Sequence, residues 1–194
     1  MSFDQTFQSI ITYLDSDVFG PAGYRVPRLV SSIRNRGQKR ASCNAAGWID
    51  RATGADITEI ALGPAQLSEP PRDVIVTIAH EVAHAIDLAQ GTACARGRHS
   101  ADWAKIMRRI GLDPVYHDSR STRYNVGHDV IPNGLLDRAL ANIPPTTIFA
   151  TIPKSAAGSF KRKTRYEAPC CGVLYGAPGL HIRCETHDAP FLSE

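Results

Sequence analysis

The first segment of the chain spaces its apolar residues three or four positions apart. Those residues are Phe3, Phe7, Ile10, Ile11 and Leu14. Because a helix turns once about every 3.6 residues, this spacing places them on one face and predicts an amphipathic helix over residues 3–15. A Gly-Pro-Ala-Gly stretch at positions 20–23 ends the helix, since glycine and proline interrupt regular structure.

Three short strand-like runs follow the first helix, at about residues 25–34, 41–49 and 56–62. Gly37 and Gly54 lie in the turns between them. The connections are too short to contain the crossover helices that parallel neighbours usually need. The pattern therefore predicts a small three-stranded antiparallel sheet.

The longest amphipathic stretch runs from about Arg72 to Ala89 and predicts a second helix. The two prolines before it suit a helix start, because a first-turn residue has no helical partner for its N–H. Gly91 is a natural stop. After a loop, a third helix is predicted to begin at Ser100, a good N-cap residue, and to end at Gly111.

The chain changes character after this third helix. Residues 115–168 contain four prolines, many small residues and a basic cluster. This composition predicts irregular structure apart from one short helix over about residues 135–143. The predicted divisions are a domain over 1–115, a proline-containing basic linker over 116–165, and a small module over 166–194 that holds three of the five cysteines.

One motif inside the longest predicted helix carries chemistry, His80-Glu81-Val82-Ala83-His84. Residues four apart lie on one helix face, so His80 and His84 can present two imidazole nitrogens to one metal ion. Glu81 lies beside that face, where a carboxylate takes a proton from zinc-bound water instead of binding the metal. Zinc lowers the pKa of such water to about 7 and polarises a scissile carbonyl, so the motif predicts hydrolysis. Two structural histidines with satisfied hydrogen bonds are the alternative interpretation.

A catalytic zinc ion usually has three protein ligands and one open position. Asp87 and Gln90 stand where a metzincin would have glycine and histidine. The helix over 100–110 contains no glutamate, which a thermolysin-like site would need. His99, just before that helix, is therefore the predicted third ligand, and a surface histidine beside two arginines is the alternative.

Asp87 shares the helix face of the two motif histidines, seven residues after His80 and three after His84. It could hydrogen-bond the far nitrogen of a ligand imidazole and so fix the tautomer. A solvated acid near the helix end is the other interpretation. No residue stands out as a stabiliser of the transition state, although four candidates follow the catalytic region: Tyr116, His117, Tyr124 and His128.

Several features occur in a fixed order along the first 115 residues. They are Gly47-Trp48, Glu59-Ile60, the motif at 80–84, the Gly-Arg-His-Ser stretch at 97–100, Trp103 and the Ile-Gly pair at 110–111. Together they resemble the SprT-like metallopeptidase family, which includes the Spartan-type proteases. The resemblance implies an α+β, zincin-like catalytic domain with an N-terminal helix, a small sheet, the motif helix and a ligand-bearing helix after it. It also implies a zinc endopeptidase that cleaves proteins bound or crosslinked to DNA.

Members of this family often carry a zinc-ribbon-like module after the catalytic domain. The tail offers four ligands for a second, structural zinc ion: Cys170, Cys171, Cys184 and His187. A ribbon closes a tetrahedron with two close pairs of ligands. Adjacent Cys170 and Cys171 reach one metal only with strain, and His181 could replace one of them. A degenerate ribbon with free thiols is the alternative.

Positive charge is concentrated in two segments without acidic residues, at 25–40 and 154–165, although the net charge is only +3. A solvated basic surface is one interpretation. Salt-sensitive contact with a nucleic-acid backbone is the other. The residues at which the resemblance would place a DNA contact are Lys161, Arg162, Lys163 and Arg165.

The chain has no apolar run near the roughly 18 residues of a membrane span, and its start does not look like a secretory signal. We therefore expect a cytoplasmic protein whose cysteines are reduced or metal-bound. The expected partners are a protein substrate and DNA, and zinc is the expected cofactor, without any small-molecule cofactor.

Three hypotheses about function remain open on the sequence alone. The leading one is a zinc endopeptidase of SprT-like type that acts on proteins at DNA. The second is a non-enzymatic nucleic-acid-binding or adaptor protein with a structural zinc site. The third is a cytosolic zinc peptidase that cuts a specific regulator without DNA.

Overall fold

The computed structural model describes residues 2–34, 41–93, 99–116, 126–143 and 149, and several shorter tail segments. The tail segments are 164–168, 172–176, 183–184, 187, 189–190 and 192–193. The chain divides into two compact units, Met1–Pro153 and Lys154–Glu194. Among the described residues, every buried hydrophobic side chain belongs to the first unit, which therefore contains the core.

Helix α1 (Phe3–Leu14) begins the first unit and confirms the first predicted helix. A capping box closes its N-terminus: the Ser2 hydroxyl accepts from the backbone N–H of Gln5, and the Gln5 side chain accepts from the backbone N–H of Ser2. The predicted apolar face is buried from Phe7 onward. One π-helical turn (Asp15–Phe19) continues the helix and adds two more side chains to the core.

Three strands form a mixed sheet with the order β1-β3-β2. They are β1 (Leu29–Ile33), β2 (Ala41–Ile49) and β3 (Asp56–Leu62). Strand β2 runs antiparallel to β3, whereas β1 runs parallel to it. The prediction of an all-antiparallel sheet is therefore wrong. Parallel neighbours need a crossover, and here strand β2 with its two connections supplies it, so that no helix is required.

A β-bulge interrupts β2 between Asn44 and Trp48, and Ala46 inside it has a φ of 51°. Glu59 of β3 is buried behind this bulge. Its carboxylate accepts hydrogen bonds from Asn44 (2.9 Å) and from the Trp48 indole (3.2 Å), and it pairs with Arg34 (2.7 Å). Burial would raise the pKa of Glu59, but the hydrogen bonds it accepts and the positive charge of Arg34 hold that pKa below its usual value. A charged, satisfied carboxylate thus fixes the bulged part of the edge strand.

A single turn, α2 (Pro64–Leu67), leads into the longest helix, α3 (Pro71–Ala89), which confirms the predicted motif helix. Helix α3 runs through the core and packs against β2 and β3. Its buried residues include Ile75, Ile78 and Val82. Burial of these side chains fixes the rotation of α3 about its own axis, and this rotation determines where the motif residues face.

Helix α4 (Ala101–Ile110) packs against α3. The Ser100 hydroxyl caps it by accepting a hydrogen bond of 2.8 Å from the backbone N–H of Trp103, as predicted. Gly111 ends it with a left-handed backbone at a φ of 94°. Glycine suits this position because a side chain would be strained there.

The chain after α4 is more regular than the sequence predicted. Strands β4 (Leu112–Tyr116) and β5 (Val126–Val130) form an antiparallel pair, and helix α5 (Leu135–Ala141) confirms the short helix predicted near residue 135. Leu136 of α5 is fully buried in the same core as α3. The first unit therefore continues past residue 115, where the sequence placed the end of the catalytic domain.

The described residues of the second unit form five short strands: β6 (Thr164–Ala168), β7 (Gly172–Gly176), β8 (Arg183–Cys184), β9 (Ala189–Pro190) and β10 (Leu192–Ser193). Strands β10, β6 and β7 form one sheet in that order, and β8 pairs with β9. Cys170 and Cys171 lie outside the described residues, Cys184 is described only by its strand, and His187 is exposed. A zinc-ribbon-like tail therefore stays a prediction.

None of the described helices combines the length and the apolar character that crossing a bilayer requires.

Candidate metal centre

Helix α3 presents His80 and His84 one turn apart on the same face, with 5.0 Å between their ring centroids. Both histidines are half-buried, whereas Glu81 between them is buried. Ala79 and Ala83 on the same turns are fully buried. The core therefore holds one side of this helix segment, and the two imidazoles are left at its surface.

The third histidine comes from the residue before the cap of α4. The ring of His99 lies 4.8 Å from that of His84 and 5.8 Å from that of His80. Each of the three histidines offers a ring nitrogen, and these nitrogens all lie within 4.8 Å of one another. In the part of the chain that the structure describes, no second group of three metal-binding side chains comes as close together. The arrangement could hold one metal ion.

Trp103 forms one wall of this cluster. Its ring centroid lies 4.1 Å from that of His99, 5.0 Å from that of His84 and 5.1 Å from that of His80. The indole is fully buried and stacks on His84 at an angle of 19° between the ring planes. A flat apolar wall of this kind limits the rotation of the imidazoles and keeps water from one side of them.

The surroundings favour neutral imidazoles. Burial and the proximity of His99 lower the pKa of His84 to about 3. Burial and the neighbouring histidines also place the pKa of His80 well below its usual value. A metal ion needs the unprotonated ring nitrogen, so these residues are in the correct form at neutral pH. The three residues thus fit a zinc ion by number and spacing, and His80 and His84 also fit by protonation.

Asp87 anchors the segment that carries His99. Its buried carboxylate accepts hydrogen bonds from the Ser100 hydroxyl (2.8 and 2.9 Å) and from the Thr92 hydroxyl (2.5 Å). Since Ser100 is also the cap of α4, Asp87 links α3 to the start of α4 at the residue next to His99. A role for Asp87 in fixing the tautomer of a ligand imidazole stays a prediction.

Glu81 faces the edge strand β2. Cys43 of β2 is half-buried, and burial together with the negative charge of Glu81 raises the pKa of its thiol. The Cys43 thiol is therefore protonated at neutral pH, which argues against a nucleophilic role. Helix α3, which carries Glu81, packs against β2, so Glu81 and this edge strand belong to neighbouring elements.

His128 of β5 also reaches the cluster. Its Nδ1 lies 2.9 Å from the Nδ1 of His80, and the two ring centroids are 4.8 Å apart. The sequence offered His128 as one of four undistinguished candidates. Alternation within β5 was the signal that could have selected it, because residue 128 shares a strand face with Val130, which packs on the core. Of the other three candidates, only the backbone of Tyr116 is described, while His117 and Tyr124 lie outside the described residues.

Two of the cations in the first basic segment are engaged within the protein. Arg28 forms an ion pair with Asp50, and Arg34 pairs with the buried Glu59. In the second segment, residues 161–163 lie outside the described part of the chain, and Arg165 is described only by its strand. Contact of this segment with DNA stays a prediction.

Comparison with known families assigns the larger, N-terminal part of the chain to a family. A comparison with curated protein sequences returned no match. A family model described as the SprT-like family matches residues 8–125, which include the second half of α1, the mixed sheet, α3, α4 and β4. All three clustered histidines and Glu81 lie inside the matched range. The chain therefore belongs to the SprT-like family.

Proposed function

We propose that the protein is a zinc-dependent endopeptidase whose metal ligands are His80, His84 and His99 and whose general base is Glu81. The observation that carries this proposal is the meeting of three imidazoles beside a buried glutamate on the motif helix. Three protein ligands leave one position of a tetrahedral zinc ion open, which is the pattern of catalytic rather than structural sites.

Each group of the proposed site has a separate role in the reaction. Zinc, when bound to the three histidines, supplies a Lewis acid and lowers the pKa of water towards neutrality. Glu81 takes a proton from the attacking water and returns it to the leaving amine. Trp103 and the core side of α3 keep the imidazoles dry and oriented, so that little reorganisation accompanies the reaction.

The proposed substrate is an extended polypeptide bound along β2. This strand forms one edge of the sheet, and Glu81 lies beside it. An extended peptide can add to a sheet edge through backbone hydrogen bonds, which requires little of its sequence. Trp48 and Ile49 of β2 are large and exposed, with 46% and 66% of their surfaces accessible, and they offer apolar contacts to such a peptide.

Action at DNA is the finer part of the proposal. It is supported by the acid-free basic segment at 154–165, in which five of twelve residues are lysine or arginine. Such a segment binds phosphates without reading sequence, so it would bring the catalytic unit to many different proteins on DNA. The ion pairs of Arg28 and Arg34 make the first basic segment the weaker candidate for this contact.

Replacing Glu81 with Gln tests the mechanism. The variant keeps the size of the side chain but cannot accept the proton, so cleavage of a denatured protein substrate should fall by about 10²–10⁴-fold. The zinc content per chain should remain that of the wild type, because Glu81 is not among the proposed ligands. Both quantities are measured on the same purified samples.

Asp73→Asn is the matched control. It makes the same acid-to-amide change in the exposed first turn of α3 and should leave both cleavage and zinc content unchanged. Undiminished proteolysis by the Glu81→Gln variant would exclude Glu81 as the base. Absence of zinc from the wild-type protein after growth in zinc-containing medium would exclude the metal centre itself.

A further inference from the structure

The contact between His80 and His128 joins two elements that are far apart in the chain. The Nδ1 atoms of the two rings lie 2.9 Å apart, a normal hydrogen-bond distance, although the residues are separated by 48 positions. One of the two nitrogens must carry a proton for this contact to be favourable, because two bare lone pairs repel. The contact therefore constrains the tautomers of both rings.

Strand β5 holds His128 in place for this contact. Its partner strand β4 follows α4 directly, and the β4–β5 register places His128 opposite Pro114 and Val130 opposite the fully buried Leu112. The backbone N–H of Ile131, just after β5, donates a 2.8 Å hydrogen bond to the carbonyl of Gly111 at the end of α4. The C-terminal end of β5, just after His128, is thus tied to α4 and to the core.

The distance separates a hydrogen-bonding role from a shared metal ion. Two nitrogens bound to one tetrahedral zinc at about 2.0–2.1 Å would be about 3.4 Å apart. The observed 2.9 Å is shorter than that and matches a hydrogen bond. His128 is among the described residues, yet the group of mutually close ligand nitrogens consists of His80, His84 and His99 without it.

We propose that His128 is a positioning residue for the metal centre, whose Nδ1 accepts a hydrogen bond from Nδ1–H of His80. This inference rests on the proposed zinc centre. The proton of His80 then resides on Nδ1, which leaves Nε2 unprotonated and available to the metal ion. The remaining proton of neutral His128 resides on Nε2. In many zinc proteins a carboxylate or a carbonyl group holds the outer nitrogen of a ligand histidine, and here an imidazole has that role.

The proposal makes the β4–β5 pair part of the metal centre. His80 can rotate about its side-chain bonds, and a fixed acceptor restricts that rotation before the metal ion arrives. Loss of the acceptor should therefore weaken zinc binding without removing a ligand. The typical effect of losing such an outer partner is about 10–100-fold in metal affinity.

Two substitutions of His128 test the proposal in the full-length protein. His128→Phe keeps a ring of similar size but removes the acceptor, and its zinc dissociation constant should rise by about 10–100-fold. His128→Asn places an amide oxygen near the position of Nδ1 and should restore an affinity close to that of the wild type. The measurement is competition for zinc with a chromophoric chelator, and Asp129→Asn on the exposed neighbour is the matched control.

Thermal unfolding of the metal-free variants separates folding from positioning. If the Phe variant does not fold, His128→Ala takes its place, with the same expected loss and the same Asn comparison.

Equal zinc affinity in wild type and the acceptor-free variant would overturn the proposal, while wild-type zinc binding would leave the proposed function intact. An Asn variant as weak as the Phe variant would also overturn it, since that result requires the imidazole itself to bind the metal. A wild type without stoichiometric zinc would instead overturn the metal centre on which the proposal rests.

Discussion

Trp103 touches each of the three clustered histidines with one side chain, and it contributes to the burial that lowers the pKa of His80 and His84. Because the indole is fully buried, it excludes water from the ring faces that it covers. A protonated imidazole would lose its hydration there, so burial depresses the pKa of His84 to about 3. The same wall that shapes the site thus prevents protonation from competing with metal binding at neutral pH.

The depressed pKa of His84 predicts how the stability of the metal-free protein depends on pH. An unfolded histidine has a pKa of about 6.5, so below that pH the unfolded chain binds a proton that the folded site rejects. The free energy of unfolding should therefore fall as the pH is lowered from about 6.5 towards 3, by at most about 1.4 kcal/mol per unit for this group. The shift of His80 acts in the same direction.

Urea unfolding of the chelator-treated protein at about pH 7 and pH 5 measures this loss. The His84→Asn variant lacks the titrating group and should lose less stability between the two pH values than the wild type. Equal losses in the two proteins would show that His84 is protonated as easily in the folded state as in the unfolded chain.

At the scale of single residues, the sequence predicted the candidate ligands but not their support. Helical spacing alone identified His80 and His84, and the lack of alternative ligands pointed to His99. His128 was not singled out from the sequence, because its contact with His80 depends on the pairing of β5 with β4. The link from Asp87 to Ser100 likewise exists only after α3 and α4 have packed together.

At the scale of elements, strand pairing was the hardest feature to predict. Short connections suggested antiparallel neighbours, but they do not say which strand occupies the centre of a sheet, and β3 pairs with both others. The sequence did not predict the β4–β5 pair, because some of its residues are of types that are uncommon in strands. Pro114 lies opposite His128, Gly127 directly precedes His128 in β5, and both residue types weaken strand propensity.

Gly111 connects α4 to β4. Its replacement by alanine tests how closely the backbone packs at this connection. A Cβ added there would lie 3.1 Å from the backbone N of Leu135 and 3.3 Å from Gly134, with φ at +94°. Gly91 has a similar φ of +71° but nothing within 4 Å. Both alanine variants incur backbone strain of about 1–2 kcal/mol, and crowding should cost Gly111→Ala about 1–3 kcal/mol more.

Equilibrium urea unfolding of the two alanine variants measures this difference, because the backbone strain is nearly common to both. Equal destabilisation of the two variants would mean that α4, β4 and the start of α5 can separate without cost. The same samples should show whether zinc affinity decreases with Gly111→Ala, as expected if the connection between α4 and β4 positions His128.

At the scale of the whole molecule, the core and the charge are distributed differently. Among the described residues, all buried apolar side chains lie before residue 154. The acid-free basic segment at 154–165 lies after them in the chain. The first unit therefore has the residues that stabilise a fold and form the candidate site. The second unit begins with the residues proposed to contact DNA.

A chain that ends at Pro153 should consequently keep zinc binding and cooperative unfolding but lose affinity for DNA. Full-length protein should bind double-stranded DNA in a salt-dependent manner, since phosphate contacts release counterions. Replacing Lys161, Arg162, Lys163 and Arg165 with Gln should reduce the slope of log affinity against log salt by up to about 3–4. Filter binding or fluorescence anisotropy over a range of salt concentrations measures the slope.

The four-Gln variant is also the control for the shortened chain, because it retains the second unit. DNA affinity that is unchanged in both proteins would place the nucleic-acid contact outside these residues, whereas a full-length protein without measurable affinity for DNA would exclude the contact. In that case, proteolysis without DNA would favour a peptidase that cuts a specific protein.

The carboxylate of Asp87 has one further consequence, for how this protein responds to mutation. Thr92 and Ser100 both donate hydrogen bonds to it, so the two ends of the segment between α3 and α4 are held by one side chain of α3. The position of the third histidine is then set by these two anchors and by the packing of the helices. A single substitution of Asp87 would therefore release both ends of this segment at once, and with them the position of His99.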